Sequence, residues 1–196
     1  MNFELFGEDA PKTVNNFLAF CSGDYSSYTR YRDSYIHQIV HGRFLRGGDF
    51  MNGDGTGSAT VYDNSTIESE KNNLKFVEPF LLAAAANTEG RVGSQFIITL
   101  DSFPVLNGSD HTIIGRLISG RETLNMIEGM DEFKMIKSIV EAGESHKPAP
   151  VKDTKVYIKN SGVYKFEERE SELRRKSAAG VYDFNPNDFY ESRKSK

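Results

Sequence analysis

His37 and His41 stand four residues apart, the spacing at which a helix brings two imidazoles to one metal ion. The glutamate that usually accompanies such a pair is missing, and residues 35–40 alternate like a strand, so no metal site is expected. Gly47-Gly48-Asp49-Phe50 lacks the glutamate of the Gly-Gly-Asp-Glu-Phe motif of cyclic-dinucleotide synthesis. Gly53-Asp54-Gly55-Thr56-Gly57 is rich enough in glycine to cradle a phosphate, yet no Lys-Ser/Thr follows and no helix opens there. It reads as a structural turn. Cys21 is the single cysteine, which excludes an internal disulfide and leads us to expect an intracellular, reducing compartment: cytosol, nucleus or mitochondrion alike.

The elements around these residues are short. Phe3 and Leu5 alternate with Glu4 and Phe6 as in a strand, and Pro11 opens a segment with Val14, Phe17, Leu18 and Cys21 at helical spacing. Strand-like runs follow at 35–40 and 44–45, separated by Gly42 and closed by Gly47-Gly48. Residues 64–73 are polar, and Leu81-Leu82 leads into four alanines, Ala83 to Ala86, whose own propensity is helical. Residues 95–100, 112–114 and 155–158 are β-rich, whereas Leu124, Ile127 and Met130 recur with a helical period. Many short strands with two helices predict a barrel or sandwich of mainly antiparallel strands.

The chain has 196 residues, 24 basic against 28 acidic, for a net charge of -4. That balance argues against direct nucleic-acid binding through bulk electrostatics. Without a run of ~20 apolar residues, membrane insertion is not expected either. From about residue 165 the composition turns to dense charge and then to interleaved aromatics, Tyr182, Phe184, Phe189 and Tyr190. A domain at 1–164 and an extension at 165–196 are therefore expected.

Read in order, several weak motifs combine. Phe3-Glu4-Leu5-Phe6, Pro11-Lys12-Thr13 with Asn16-Phe17, His37, Gly42, Gly47-Gly48-Asp49-Phe50 and Gly55-Thr56-Gly57 resemble the cyclophilin family. Gly93-Ser94-Gln95-Phe96-Ile97, Leu106-Asn107-Gly108 with His111, and Ile114-Gly115-Arg116 extend the resemblance, which covers about residues 2–163. It implies a mainly β fold, a closed antiparallel eight-stranded barrel capped by two helices, here without the family's first strand and with a C-terminal extension. It makes the alanine run a barrel strand. It also implies peptidyl-prolyl cis-trans isomerisation, a reaction that needs no cofactor.

Rotation of an X-Pro bond is slow because amide resonance opposes it, with a barrier of ~18–20 kcal/mol. By the resemblance, an arginine supplies the donor that eases this rotation, helped by a Gln and an Asn, and an apolar pocket holds the proline ring. Position by position, the arginine is Gln38, the pocket Phe and Met are Arg43 and Phe44, and the neighbouring Gln is Arg46. Ala85 is kept but the Asn after it is Ala86; Gln95 matches, Ile97 replaces a Phe, Val105 replaces a Trp, and Leu106 and His111 are kept. A neutral Gln cannot offer a guanidinium's charge or rigid fork of donors, and Arg43 would set an ion at an apolar slot.

The expectation is thus a cyclophilin-like protein with weak or no isomerase activity. It would serve as a binding or scaffold subunit of a larger assembly, its aromatic extension docking on other subunits. The alternative is an active isomerase assisting protein folding by acting on proline-containing polypeptides.

Overall fold

The computed structural model describes residues 1–26, 28–62, 64–130 and 156–163. Seven strands share one antiparallel sheet: β1 (Asn2–Leu5), β2 (Ile36–Val40), β3 (Phe44–Gly47), β4 (Ile67–Glu68), β5 (Leu81–Ala86), β6 (Arg91–Thr99) and β7 (Thr112–Ser119). The order is β1-β7-β5-β6-β3-β2, with β4 paired to the start of β6 through Ile67 and Val92. The mainly β architecture with two helices is as expected, as is the strand made by the alanines.

The alanine run explains itself once the two faces of β5 are separated. Leu82 and Ala84 point into the main core with Ile39, Leu45, Phe96, Ile98 and Ile114, while Leu81 and Ala83 face a second cluster with Phe76 and Ile113. A strand covered on both sides needs no polar alternation, and small side chains let its neighbours close in. Pairing in the sheet therefore overrides alanine's helical preference.

Helix α1 (Pro11–Ser22) starts at a proline, whose missing N–H costs nothing there, and ends at Gly23 in the left-handed region, φ 74°. It lies on the inner face of the sheet: Phe17 meets Phe96 edge-on at 5.8 Å, and Asn16 Nδ2 donates to the Gly93 carbonyl at 3.1 Å. Phe20, Tyr31 and Phe50 complete an aromatic cluster, and the buried Tyr31 hydroxyl donates to the Ser94 carbonyl at 2.7 Å. Helix α2 (Arg121–Glu128) buries Leu124 and Ile127.

Two departures from the sequence reading concern small elements. Strand β4 falls in the polar stretch 64–73, where two residues are too few to show a period. The expected strand at 155–158 is, among the described residues, a single bridge between Tyr35 and Tyr157, flanked by bonds from Ile36 N–H to the Val156 carbonyl and from Ile158 N–H to the Ser34 carbonyl. The extension at 165–196 and its docking aromatics Tyr182, Phe184, Phe189 and Tyr190 lie outside the described residues.

Candidate functional site

The outer face of the sheet carries three of the expected site residues, Gln38, Arg46 and Ile97, in one row. Gln38 pairs with Arg46, Arg46 with Ile97, Ile97 with Ala83, and Ala83 with Ile113, so one line crosses five strands. Directly opposed residues have Cβ atoms ~4.5–5.5 Å apart, which makes Gln38 and Arg46 immediate neighbours. The Gln38 amide is half-buried and makes no side-chain hydrogen bond among the described residues. Arg46 is held: its Nε donates to Gln95 Oε1 at 2.9 Å. The Gln95 Nε2 in turn donates to the carbonyls of Gly55 and Gly57 at 2.8 and 2.7 Å. A chain of bonds thus runs from the glycine loop through Gln95 to the guanidinium.

The loop is itself tied down. Asp49 accepts from the N–H groups of Met51, Asn52, Gly55 and Gly57, at 3.2, 2.8, 2.9 and 2.9 Å. Burial alone would raise its pKa, but the backbone N–H groups of Asn52, Gly57, Gly55 and Gly53 together outweigh it and hold the carboxyl below its ordinary value. Gly48 sits at φ 88°, and a side chain there would run into the Ser94 carbonyl, so the turn after β3 requires glycine. The loop is a scaffold for Gln95, in keeping with the structural-turn reading.

His111 is a further expected site residue. Its Nδ1 accepts the Ala86 N–H at 2.9 Å, which leaves Nε2 to carry the proton of the neutral ring. Burial, and then the charge of Arg46, lower its pKa. Ala85 is buried at a register shift of β5, and this irregularity turns the Ala86 N–H towards His111. His37 lies on β2, buried, with neither ring nitrogen bonded among the described residues. Its pKa is lowered by burial first and by Arg46 second, against smaller opposing effects of Asp49 and Asp54. Arg46 is the positive centre that both imidazoles feel.

Arg43 and Phe44 differ from the expectation in one respect. Arg43 is exposed in the turn just before β3, and its guanidinium lies 5.1 Å over the ring of Phe103. The other partner of Phe103 is Phe44, stacked at 6.2 Å. Phe103 therefore supplies an aromatic wall from the loop after β6, at a position that sequence reasoning did not select. Its signal in the chain, a lone aromatic between Ser102 and Pro104, has no period to reveal it. Val105 is 74% exposed at the rim and Leu106 packs on the second cluster. Leu106 and His111 also border a cavity of about 180 Å³, whose other lining includes Lys71, Asn72, Phe76 and Ile113.

Residues 1–163 match the family model described as cyclophilin type peptidyl-prolyl cis-trans isomerase/CLD. Peptidyl-prolyl cis-trans isomerase H of Mycosarcoma maydis is 34% identical over 149 residues, 72% of this chain and 94% of that protein. Peptidyl-prolyl cis-trans isomerase 9 of Caenorhabditis briggsae is 30% identical over 185 residues, 91% of this chain, which spans 54% of that longer relative. A crystal structure of a Cryptosporidium parvum cyclophilin type peptidyl-prolyl cis-trans isomerase, in the presence of the dipeptide Ala-Pro, is similar in fold. It has a TM-score of 0.65 at 32% identity and covers 83% of this chain and 91% of that one.

Proposed function

This chain belongs to the cyclophilin-type peptidyl-prolyl cis-trans isomerase family, and we propose that it binds proline-containing polypeptides in the groove of Gln38, Phe44, Arg46, Ile97, Leu106 and His111 while turning the X-Pro bond slowly. The observation that carries this reading is the pair Gln38 and Arg46. By the resemblance the guanidinium belongs at Gln38 on β2, a neutral amide, whereas the guanidinium of Arg46 stands opposite on β3, held by Gln95. Productive geometry is demanding to within ~1 Å, and a donor displaced by a strand spacing, ~4.8 Å, falls well outside that tolerance. The similar Cryptosporidium protein, with its Ala-Pro dipeptide, supports the choice of ligand class.

Under the same proposal the protein works as a binding subunit of an assembly, in a reducing compartment, with Tyr182, Phe184, Phe189 and Tyr190 docking on a neighbour. Four aromatics within nine residues offer the rigid contact area typical of interface anchors. Removing residues 180–196 is then expected to release the protein from its partners; full co-purification of the shortened chain would overturn the docking role.

A prolyl-peptide isomerisation assay tests the catalytic part. The expected rate is close to the uncatalysed one, rising tenfold or more in Gln38→Arg, since each factor of ten is ~1.4 kcal/mol of barrier. A wild-type rate like that of an ordinary cyclophilin would overturn it. In that event a second reading, an active isomerase using Arg46 as donor, is favoured by the bond that fixes Arg46 to Gln95, and Arg46→Gln would abolish the rate.

A further inference from the structure

Arg43, just before β3, and Arg46 on β3 bracket Phe44, and among the described residues neither is paired with a carboxylate. Among the described residues the ion pairs involve Arg30 and Arg32 with Asp33, Lys71 with Asp110, and Arg116 with Glu4. Among the described residues the Arg43 side chain meets the face of Phe103, and Arg46 uses one of its five N–H donors, on Gln95. In a chain of net charge -4, two cations without anionic partners among the described residues are a surplus that the described fold does not use. Arg46 is also half-buried, so it has lost hydration without gaining a countercharge, and burial lowers its pKa from the ordinary value. An incoming anion would restore what burial removed, through short charge-assisted bonds to the planar fork.

Resting on the reading of this face as a proline-peptide groove, we propose that its preferred ligand carries an anionic side chain, carboxylate or phosphate, within one or two residues of the proline. The spacing follows from the strand. Phe44 and Arg46 are two residues apart on one face, ~6.6 Å, about the span of two residues of an extended peptide lying along it. The proline ring would rest on the aromatic wall of Phe44 and Phe103, and the anion would reach Arg46, with Arg43 adding a second, solvent-screened attraction.

The test is a binding titration of the full chain with short fluorescent peptides that differ only beside the proline, bearing Gln, Glu or phosphoserine on either side. Glu or phosphoserine is expected to bind about five- to tenfold tighter than Gln at low salt. Which of the two binds tighter identifies carboxylate or phosphate as the source. Arg46→Gln is expected to erase the preference and Arg43→Gln to halve it, with unchanged thermal melting. Equal binding of Gln, Glu and phosphoserine peptides overturns the inference and leaves the groove reading intact. So does a preference that survives both substitutions. Binding of none of them overturns both.

Discussion

The two faces of β3 and β6 are built from the same residues in alternation, yet they obey different rules. Inward, Leu45, Phe96 and Ile98 are at most 4% exposed and pack on Ile39, Leu82 and the aromatics of α1. Outward, Phe44, Arg46, Gln95 and Ile97 combine one aromatic, one cation, one amide and one buried aliphatic, with Arg46 bonded to Gln95 and Gln95 to the glycine loop. The inner face is specified by volume. The outer face is specified by where donors and rings point, so it can exchange side chains without unfolding the sheet. Such a face can carry an amide at Gln38 opposite a guanidinium at Arg46 within the β2–β3 register.

The contrast is broken most severely from the inside. Leu45→Ala is expected to cost about 2–5 kcal/mol, because the side chain is 1% exposed and its neighbours cannot all collapse into the space. Urea denaturation gives the number. On the same strand Arg46→Gln is expected to stay within about 0.5 kcal/mol of wild type, and an equal loss at both sites would show that the two faces are one core.

A somewhat smaller effect is expected at the joint between loop and groove. Asp49→Asn removes the charge that collects four backbone N–H groups, at a cost of about 1–3 kcal/mol. Since Gln95 leans on the carbonyls of Gly55 and Gly57, peptide binding is expected to weaken as well. A variant that loses stability but binds unchanged would uncouple the loop from the groove.

Much of this could be read from the chain, and for a physical reason. Gly48 is restricted by a backbone geometry that glycine satisfies, and Asp49 by the four N–H groups its carboxylate collects, so both mark the turn. Gln38 and Arg46 could be located by counting along a strand of period two. Their hydrogen-bonded consequence could not, since it depends on Gln95 arriving from β6, 49 residues away in sequence from Arg46. Phe103 was hidden for the same reason: its place opposite Phe44 is decided by the path of a loop. The alanines could be assigned to a strand only through the family resemblance, because local propensity points the other way.

Phe103 sharpens the comparison at the outer face. Phe103→Ala removes both the stack on Phe44 and the platform under Arg43, and affinity for proline peptides is expected to fall about tenfold. As the residue is only half-buried, stability is expected to change by about 1 kcal/mol or less. Calorimetric titration beside a thermal melt separates the two. Lost stability without lost affinity would place Phe103 with the core.

The smallest effect is expected where the faces meet, at His37. A register shift in β2 lies between Ile36 and Gln38, and the ring is buried against Gly55, whose added Cβ would stand 3.1 Å from His37 Nε2. Burial and Arg46 depress the folded pKa, so the unfolded chain binds a proton first on acidification, near the ordinary value of about 6.5. Stability from this group is therefore fully present above that pH and is lost as pH falls towards the depressed folded value. His111 contributes with the same sign, for the same causes in the same order. Chemical denaturation between pH 7.5 and 5 is expected to show declining stability in the wild type and a shallower decline in His37→Phe. An unchanged slope in that variant would mean that the buried ring finds a proton acceptor on acidification and that His111 alone carries the dependence.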